Sequence, residues 1–163
     1  MKYEIINNFL EQNEFLNVKN IFTDYNFPWF LSKGINIETT AEDPNYQFVH
    51  TFYYNNLISS NYFEKIRPLI IKLKVRSLIR IKANLIPKND KIIEHGYHVD
   101  YDFADSKTAV LYMNSNNGYT KFIDGFISNS EENKIVIFNS NEKHTGTTCT
   151  DANYRIVINI NYF

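Results

Sequence analysis

The sequence predicts an α+β chain whose C-terminal half is an all-β sandwich or jelly-roll barrel. Three observations carry this. Two stretches of helical periodicity fall in the first 77 residues. From Leu78 the texture changes to short apolar runs separated by turn signals. The last run, Arg155 to Tyr162, alternates strictly, with Ile156, Ile158 and Ile160 on one face and Arg155, Val157, Asn159 and Asn161 on the other.

At 163 residues the chain is expected to form one domain, 1–163. Within it, 1–77 would supply helical support and first strands, and 78–163 the β core. Hydrophobic residues make up 44% and aromatics 16%, which is the composition of a globular protein rather than a disordered one. A net charge of −1 argues against a protein devoted to neutralising phosphates. The one cysteine, Cys149, excludes an intramolecular disulfide and suits a reducing, cytoplasmic setting. The N-terminus, interrupted by Glu4 and Glu11, does not read as a signal peptide, and no apolar run is long enough to cross a membrane.

In chain order, residues 2–6 read as a short edge strand. Residues 9–25 read as a helix, with Leu10, Phe15, Val18, Ile21 and Phe22 near helical spacing. Pro28 breaks it, and Trp29 reads as a core anchor. Residues 34–45 are polar and loop-like. Tyr46 to Tyr54 is β-branched and aromatic, hence a strand, and its lone His50 reads as structural. Ser59 and Ser60 offer caps for a second helix over 61–74, with Phe63, Ile66, Leu69, Ile70 and Leu73 as its apolar face.

About eight short strands follow. Arg80, Lys82 and Asn84 alternate with Ile81, Ala83 and Leu85. His98 and Asp100 fall on a short strand, 108–114 on another. Asn116-Asn117-Gly118 reads as a hairpin turn returning over 119–123, and Asp124-Gly125 as a second turn. Residues 134–138 form a buried strand, 144–148 a short one.

The chemistry gathers on this β half. A histidine and a carboxylate two residues apart share one face of a strand, so His98 and Asp100 can address one metal ion. His144 supplies a third ligand, completing the two-histidine, one-carboxylate set typical of non-haem Fe(II) oxygenases. Such a site leaves positions open for a chelating cosubstrate and dioxygen. If the cosubstrate is 2-oxoglutarate, its far carboxylate needs a fixed cation, and the planar fork of an arginine suits it best. Arg155 stands on the polar face of the last strand, where it needs an anion to meet it.

These pieces resemble the double-stranded β-helix core of the 2-oxoglutarate- and Fe(II)-dependent dioxygenases, in particular compact prolyl-hydroxylase-like members, including small ones carried by bacteriophages. The resemblance rests on residues 80–85, His98-Val99-Asp100, residues 107–114, Gly118-Tyr119-Thr120-Lys121-Phe122, His144-Thr145-Gly146 and residues 155–160, about half of the chain. It implies His98, Asp100 and His144 as iron ligands and Arg155 as the clamp on the 5-carboxylate. It places Thr120 and Asn84 beside the cosubstrate, and puts Tyr112 on a strand whose pocket-facing register stays open between Tyr112 and Leu111. Cofactors implied are Fe(II), 2-oxoglutarate and O2, with ascorbate as an accessory reductant.

Two departures refine this. Asn161 stands where the nucleic-acid demethylase branch carries a second arginine, which disfavours a nucleic acid substrate, as does the charge. Asp100 is present where the halogenase branch has Ala or Gly, which favours hydroxylation. The expected reaction is therefore hydroxylation of a C–H bond of a peptidyl, proline-like residue or an amino acid. Arg80, Lys82, Tyr97 and Asn161 are candidate substrate residues. Two alternatives stay open: the same chemistry on another small molecule or a nucleic acid, and a metal-binding cupin-like barrel without turnover.

Overall fold

The computed structural model describes residues 2–33 and 46–163. Their elements are β1 (Glu4–Ile6), α1 (Gln12–Ile21), β2 (Phe30–Lys33), β3 (Tyr46–Tyr54), β4 (Leu57–Ile58), a 3-10 turn (Phe63–Ile66) running into α2 (Arg67–Lys72), β5 (Leu78–Pro87), β6 (Lys107–Tyr112), β7 (Tyr119–Phe122), β8 (Ile127–Asn129), β9 (Ile135–Asn139), β10 (His144–Gly146) and β11 (Tyr154–Tyr162). The expected loop at 34–45 lies outside the described residues.

Eight strands form one sheet in the order β1-β9-β6-β11-β5-β3-β2, with β4 added on β3; β10-β7-β8 form a second. Every pairing is antiparallel. This is the expected double-stranded β-helix: a large sheet with helices on its outer face and a small sheet facing its inner one.

Strand alternation divides the residues between the two faces. Ile156, Ile158 and Ile160 of β11 join Ile81 and Ala83 of β5 and Ala109 and Leu111 of β6 in the outer core, under Phe15, Val18 and Ile21 of α1. Each Ile, Leu, Val or Phe among them contributes roughly 1.5–3 kcal/mol by leaving water. The inner face carries Val110, Tyr112 and Val157, packed with Phe122, Val136 and Phe138. The open register of β6 is thereby settled: Tyr112 points between the sheets and Leu111 toward the helices.

Several local expectations are corrected. The first helix spans only Gln12–Ile21, because Phe9 and Leu10 are held outside it by Asn133: its carbonyl accepts from Phe9 N–H, and its side chain bonds both backbone groups of Leu10. The second helix is a 3-10 turn followed by six residues of α-helix; Pro68 lacks the N–H that would continue one α-helical ladder through this point. Asn116-Asn117-Gly118 is no hairpin. β6 pairs with β9 and β11 and β7 with β8 and β10, so the turn carries the chain from one sheet to the other. Asn117 bonds Thr150 and Asp151 instead, tying the crossover to the loop before β11. The Asp124-Gly125 turn does join two paired strands, β7 and β8, with Gly125 at φ +89°. His98 and Asp100 lie on an irregular segment that touches β10 through one isolated bridge, His98 to His144. β2, β4 and β8, four residues or fewer each, were not anticipated. His50 is structural, its two ring nitrogens bonded to Pro28 O and Ser60 Oγ at 2.8 and 2.7 Å. No helix among the described residues is long and apolar enough to cross a membrane.

Candidate metal and anion site

Between the two sheets lies a cavity of about 700 Å³. Its walls are the inner rows of β5 and β11, the irregular segment carrying His98, and the start of β10.

At one end, His98, Asp100 and His144 each present a ligand atom, all within 4.8 Å of one another. The reciprocal bridge His98 N–H to His144 O and His144 N–H to His98 O, 2.9 and 3.0 Å, brings the rings together at 4.6 Å between centroids. Asp100 N–H donates to Ser140 O at 3.1 Å, which turns its carboxylate inward. His144 Nδ1 sits 2.9 Å from Glu142 O; a proton there leaves Nε2 as a lone pair facing Asp100 Oδ2 at 4.0 Å. That gap is too long for a hydrogen bond. Two imidazoles and a carboxylate converging in this way could hold a divalent transition metal.

The carboxylate itself is held from behind. Arg80 Nη2 donates to Asp100 Oδ1 at 3.1 Å, and Thr108 Oγ1 and Asn161 Nδ2 donate to Oδ2 at 3.0 Å each. Arg80 Nε also donates to Asn161 Oδ1 at 3.0 Å, closing the ring of contacts. Burial alone would raise the Asp100 carboxyl, but His144, Arg80, His98 and the Asn161 bond outweigh it and hold it below the usual range. Burial, with His144 alongside, lowers His98, so its ring favours the neutral form that a metal needs.

At the other end stands Arg155, 2% exposed. Its Nε donates to Ser130 Oγ at 2.9 Å and its Nη2 to Thr120 Oγ1 at 3.3 Å, and its guanidinium lies 5.6 Å from the Tyr112 ring centre. Among the described residues no carboxylate ion-pairs with it, and burial lowers its proton affinity, opposed only by Tyr112 and Cys149. A buried guanidinium facing only neutral groups is costly unless an anion joins it. Asn84 faces the same cavity with a buried Oδ1 that has no hydrogen-bond partner. An anionic chelator reaching from the metal end to Arg155 would therefore meet a free cation; the residues present fit 2-oxoglutarate and a divalent iron.

The candidates named from the sequence separate into three groups. His98, Asp100, His144, Arg155, Asn84, Thr120, Lys82 and Tyr97 line the cavity. Tyr112 does not; it is fully buried, its hydroxyl donates to Ser128 O at 3.0 Å, and its ring backs Arg155. Arg80 reaches the wall and Asn161 lies fully buried behind it, both bound to Asp100. Sequence reasoning missed Thr108, Ser130 and Gly118. A Cβ on Gly118 would lie 2.8 Å from Arg155 Cδ, Asn116 Oδ1 and Thr148 O, so only glycine lets the crossover pass the arginine. Strand parity puts Thr108 on the same face as Val110 and Tyr112, but its place opposite Asn161 comes from the pairing of β6 with β11; no local signal marks Ser130.

No protein-family model matches the chain, and no curated protein matches its sequence. Solved structures do. A prolyl hydroxylase from Trichoplax adhaerens, in complex with a hypoxia inducible factor oxygen degradation domain peptide fragment, superposes with a TM-score of 0.71 at 13% identity, over 99% of this chain and 83% of that one. A 2OG-Fe(II) oxygenase family oxidoreductase from Burkholderia pseudomallei gives 0.64 at 12%, over 99% and 85%. A non-haem alpha-ketoglutarate-dependent epimerase, SnoN from nogalamycin biosynthesis, gives 0.66 at 11%, over 99% and 76%. At these identities the likeness is one of fold. The chain has the double-stranded β-helix fold of the 2-oxoglutarate and Fe(II) oxygenases.

Proposed function

We propose that the protein is a non-haem Fe(II)- and 2-oxoglutarate-dependent dioxygenase that hydroxylates a C–H bond of a proline-like peptidyl residue or of an amino acid. One observation carries this reading. A convergent His98-Asp100-His144 set and a buried Arg155, with no carboxylate partner among the described residues, face each other across one cavity. A barrel that bound metal only structurally would have no use for the second feature.

His98, Asp100 and His144 would hold iron, and Arg155 with Thr120 and Asn84 the cosubstrate. When bound, these supply the oxidising chemistry: 2-oxoglutarate, O2 and the substrate C–H give succinate, CO2 and a C–OH. The protein's part is placement. Glu142 O fixes the His144 tautomer. Arg80, Thr108 and Asn161 fix the Asp100 carboxylate, leaving its remaining lone pairs for the metal. Arg155 orients the far carboxylate, so that the chelating end is presented to the metal. Val110 and Val157 make that wall apolar. The prolyl hydroxylase neighbour with its bound peptide supports a peptidyl substrate.

Anaerobically purified protein given Fe(II), 2-oxoglutarate and air should release succinate, faster with a substrate than without. No succinate, even across a broad panel of peptides and amino acids, would sink the reading.

A further inference from the structure

Lys82 sits on β5 between Arg80 and Asn84, on the row facing the cavity. In register, Thr51 of β3 flanks it on one side and Asn159 of β11 on the other. Its neighbours along the row differ from it. Arg80 is bonded to Asp100 and Asn161. Lys82 makes no hydrogen bond or ion pair among the described residues, although it is half-buried and lines the cavity.

The charge balance of the cavity sharpens this. Its described walls carry five cations, Lys33, Arg80, Lys82, Lys143 and Arg155, against one acid, Asp100, which Arg80 already matches. Lys33 and Lys143 are exposed at the rim, where water serves them. The reading above, on which this inference rests, uses both carboxylates of 2-oxoglutarate, one at the metal and one at Arg155. Lys82 is left over. Burial and the Arg80 charge, opposed by Asp100, push its ammonium down to about 8, as befits a cation waiting for a partner. A half-buried ammonium with no ion-pair partner of its own is costly, and an acid placed against it would recover that cost.

We propose that Lys82 holds a free carboxylate of the substrate, so that of the two substrate classes the cavity takes the free amino acid rather than a neutral peptide segment. Neutral peptide has no charge to give Lys82; an α-carboxylate does.

The test uses the full chain and three probe sets: the L-amino acids, the same residues as carboxamides, and short proline-containing peptides with both ends blocked. Succinate release is measured with Fe(II). Binding is measured by calorimetry on protein loaded with Mn(II) and 2-oxoglutarate, which needs no turnover. At least one free amino acid should bind and accelerate succinate release, and its carboxamide should be roughly tenfold or more weaker. Lys82→Met should remove that preference in the calorimetric arm and raise the KM for the amino acid rather than the KM for 2-oxoglutarate. Lys82→Arg should keep part of it, which guards against a folding defect. The proposal is overturned if carboxamides or blocked peptides do as well, if no amino acid binds, or if Lys82→Met raises the KM for 2-oxoglutarate as Arg155→Ala does. Failure of the oxygenase reading looks different: no succinate in any arm, while the calorimetric preference still reports on Lys82.

Discussion

The two ends of the cavity are built on opposite plans. At the His98–Asp100–His144 end, the charge of Asp100 is satisfied by the protein. Asp100 accepts from Arg80, Thr108 and Asn161 before any ligand arrives. At the other end, Arg155 has hydroxyls and a ring for company but, among the described residues, no carboxylate. One end is a finished support for a ligand that adds to it, and the other is an incomplete ion pair. The contrast implies that removing a group at the first end costs binding and stability together. Removing Arg155 should cost binding and return stability, since replacing an unmatched buried charge with an apolar group is often neutral or favourable.

Ways to break that contrast run from large to small. His144→Ala should abolish metal binding and turnover, with a loss of Mn(II) affinity, by calorimetry, beyond the roughly 10–100-fold typical of outer partners. Arg155→Met should raise the KM for 2-oxoglutarate by about 10–100-fold, the worth of one or two charge-assisted bonds. Its metal affinity should hold, and its ligand-free melting point should stay level or rise. If Arg155→Met instead melts well below wild type, the cation is part of the framework and the contrast fails. Asn161→Ala and Thr108→Val should each weaken Mn(II) by about tenfold, through a loosened Asp100, without shifting the KM for 2-oxoglutarate.

The acid side offers a milder test. Asp100 has its carboxyl depressed in the folded chain. A depressed value contributes stability that is present above the unfolded value, about 3.9, and is lost as pH falls through the folded one. In metal-free protein, Asp100→Asn should therefore flatten the loss of stability below about pH 4, read by denaturant titration at stepped pH. At the small end, Glu64→Ala, which removes an exposed pair with Arg67, should change stability by about 0.5 kcal/mol or less and leave both ends of the cavity untouched.

What could be read from the residues, and what could not, follows the range of each signal. Alternation is a property of one strand, so β11 declared its two faces, and Arg155 its place among polar residues. The His98–Asp100 spacing was legible for the same reason, even though the segment forms one bridge rather than a strand. Turn chemistry says only that the chain bends. Asn116-Asn117-Gly118 gave no hint that the next strand belongs to the other sheet, because its partners Thr150 and Asp151 lie more than thirty residues on. Arg80 could be placed on the cavity side by parity, but not assigned to Asp100 twenty residues away. Pro68 was in plain view as a reason to shorten the second helix; there the signal existed and the apolar spacing masked it.

Gly118 carries a consequence for how this protein can vary. A crossover between two sheets would ordinarily be a place where insertions and new side chains are absorbed. Here the crossover runs against Arg155 with no room for a methyl group. The loop therefore inherits the tolerance of the cavity it skirts. A saturation library should show position 118 as restrictive as the buried wall, while the fully exposed Tyr25 accepts most substitutions. A side chain at 118 would have to displace the stem of Arg155 and the Thr148 carbonyl together, so the crossover and the arginine are one packed unit.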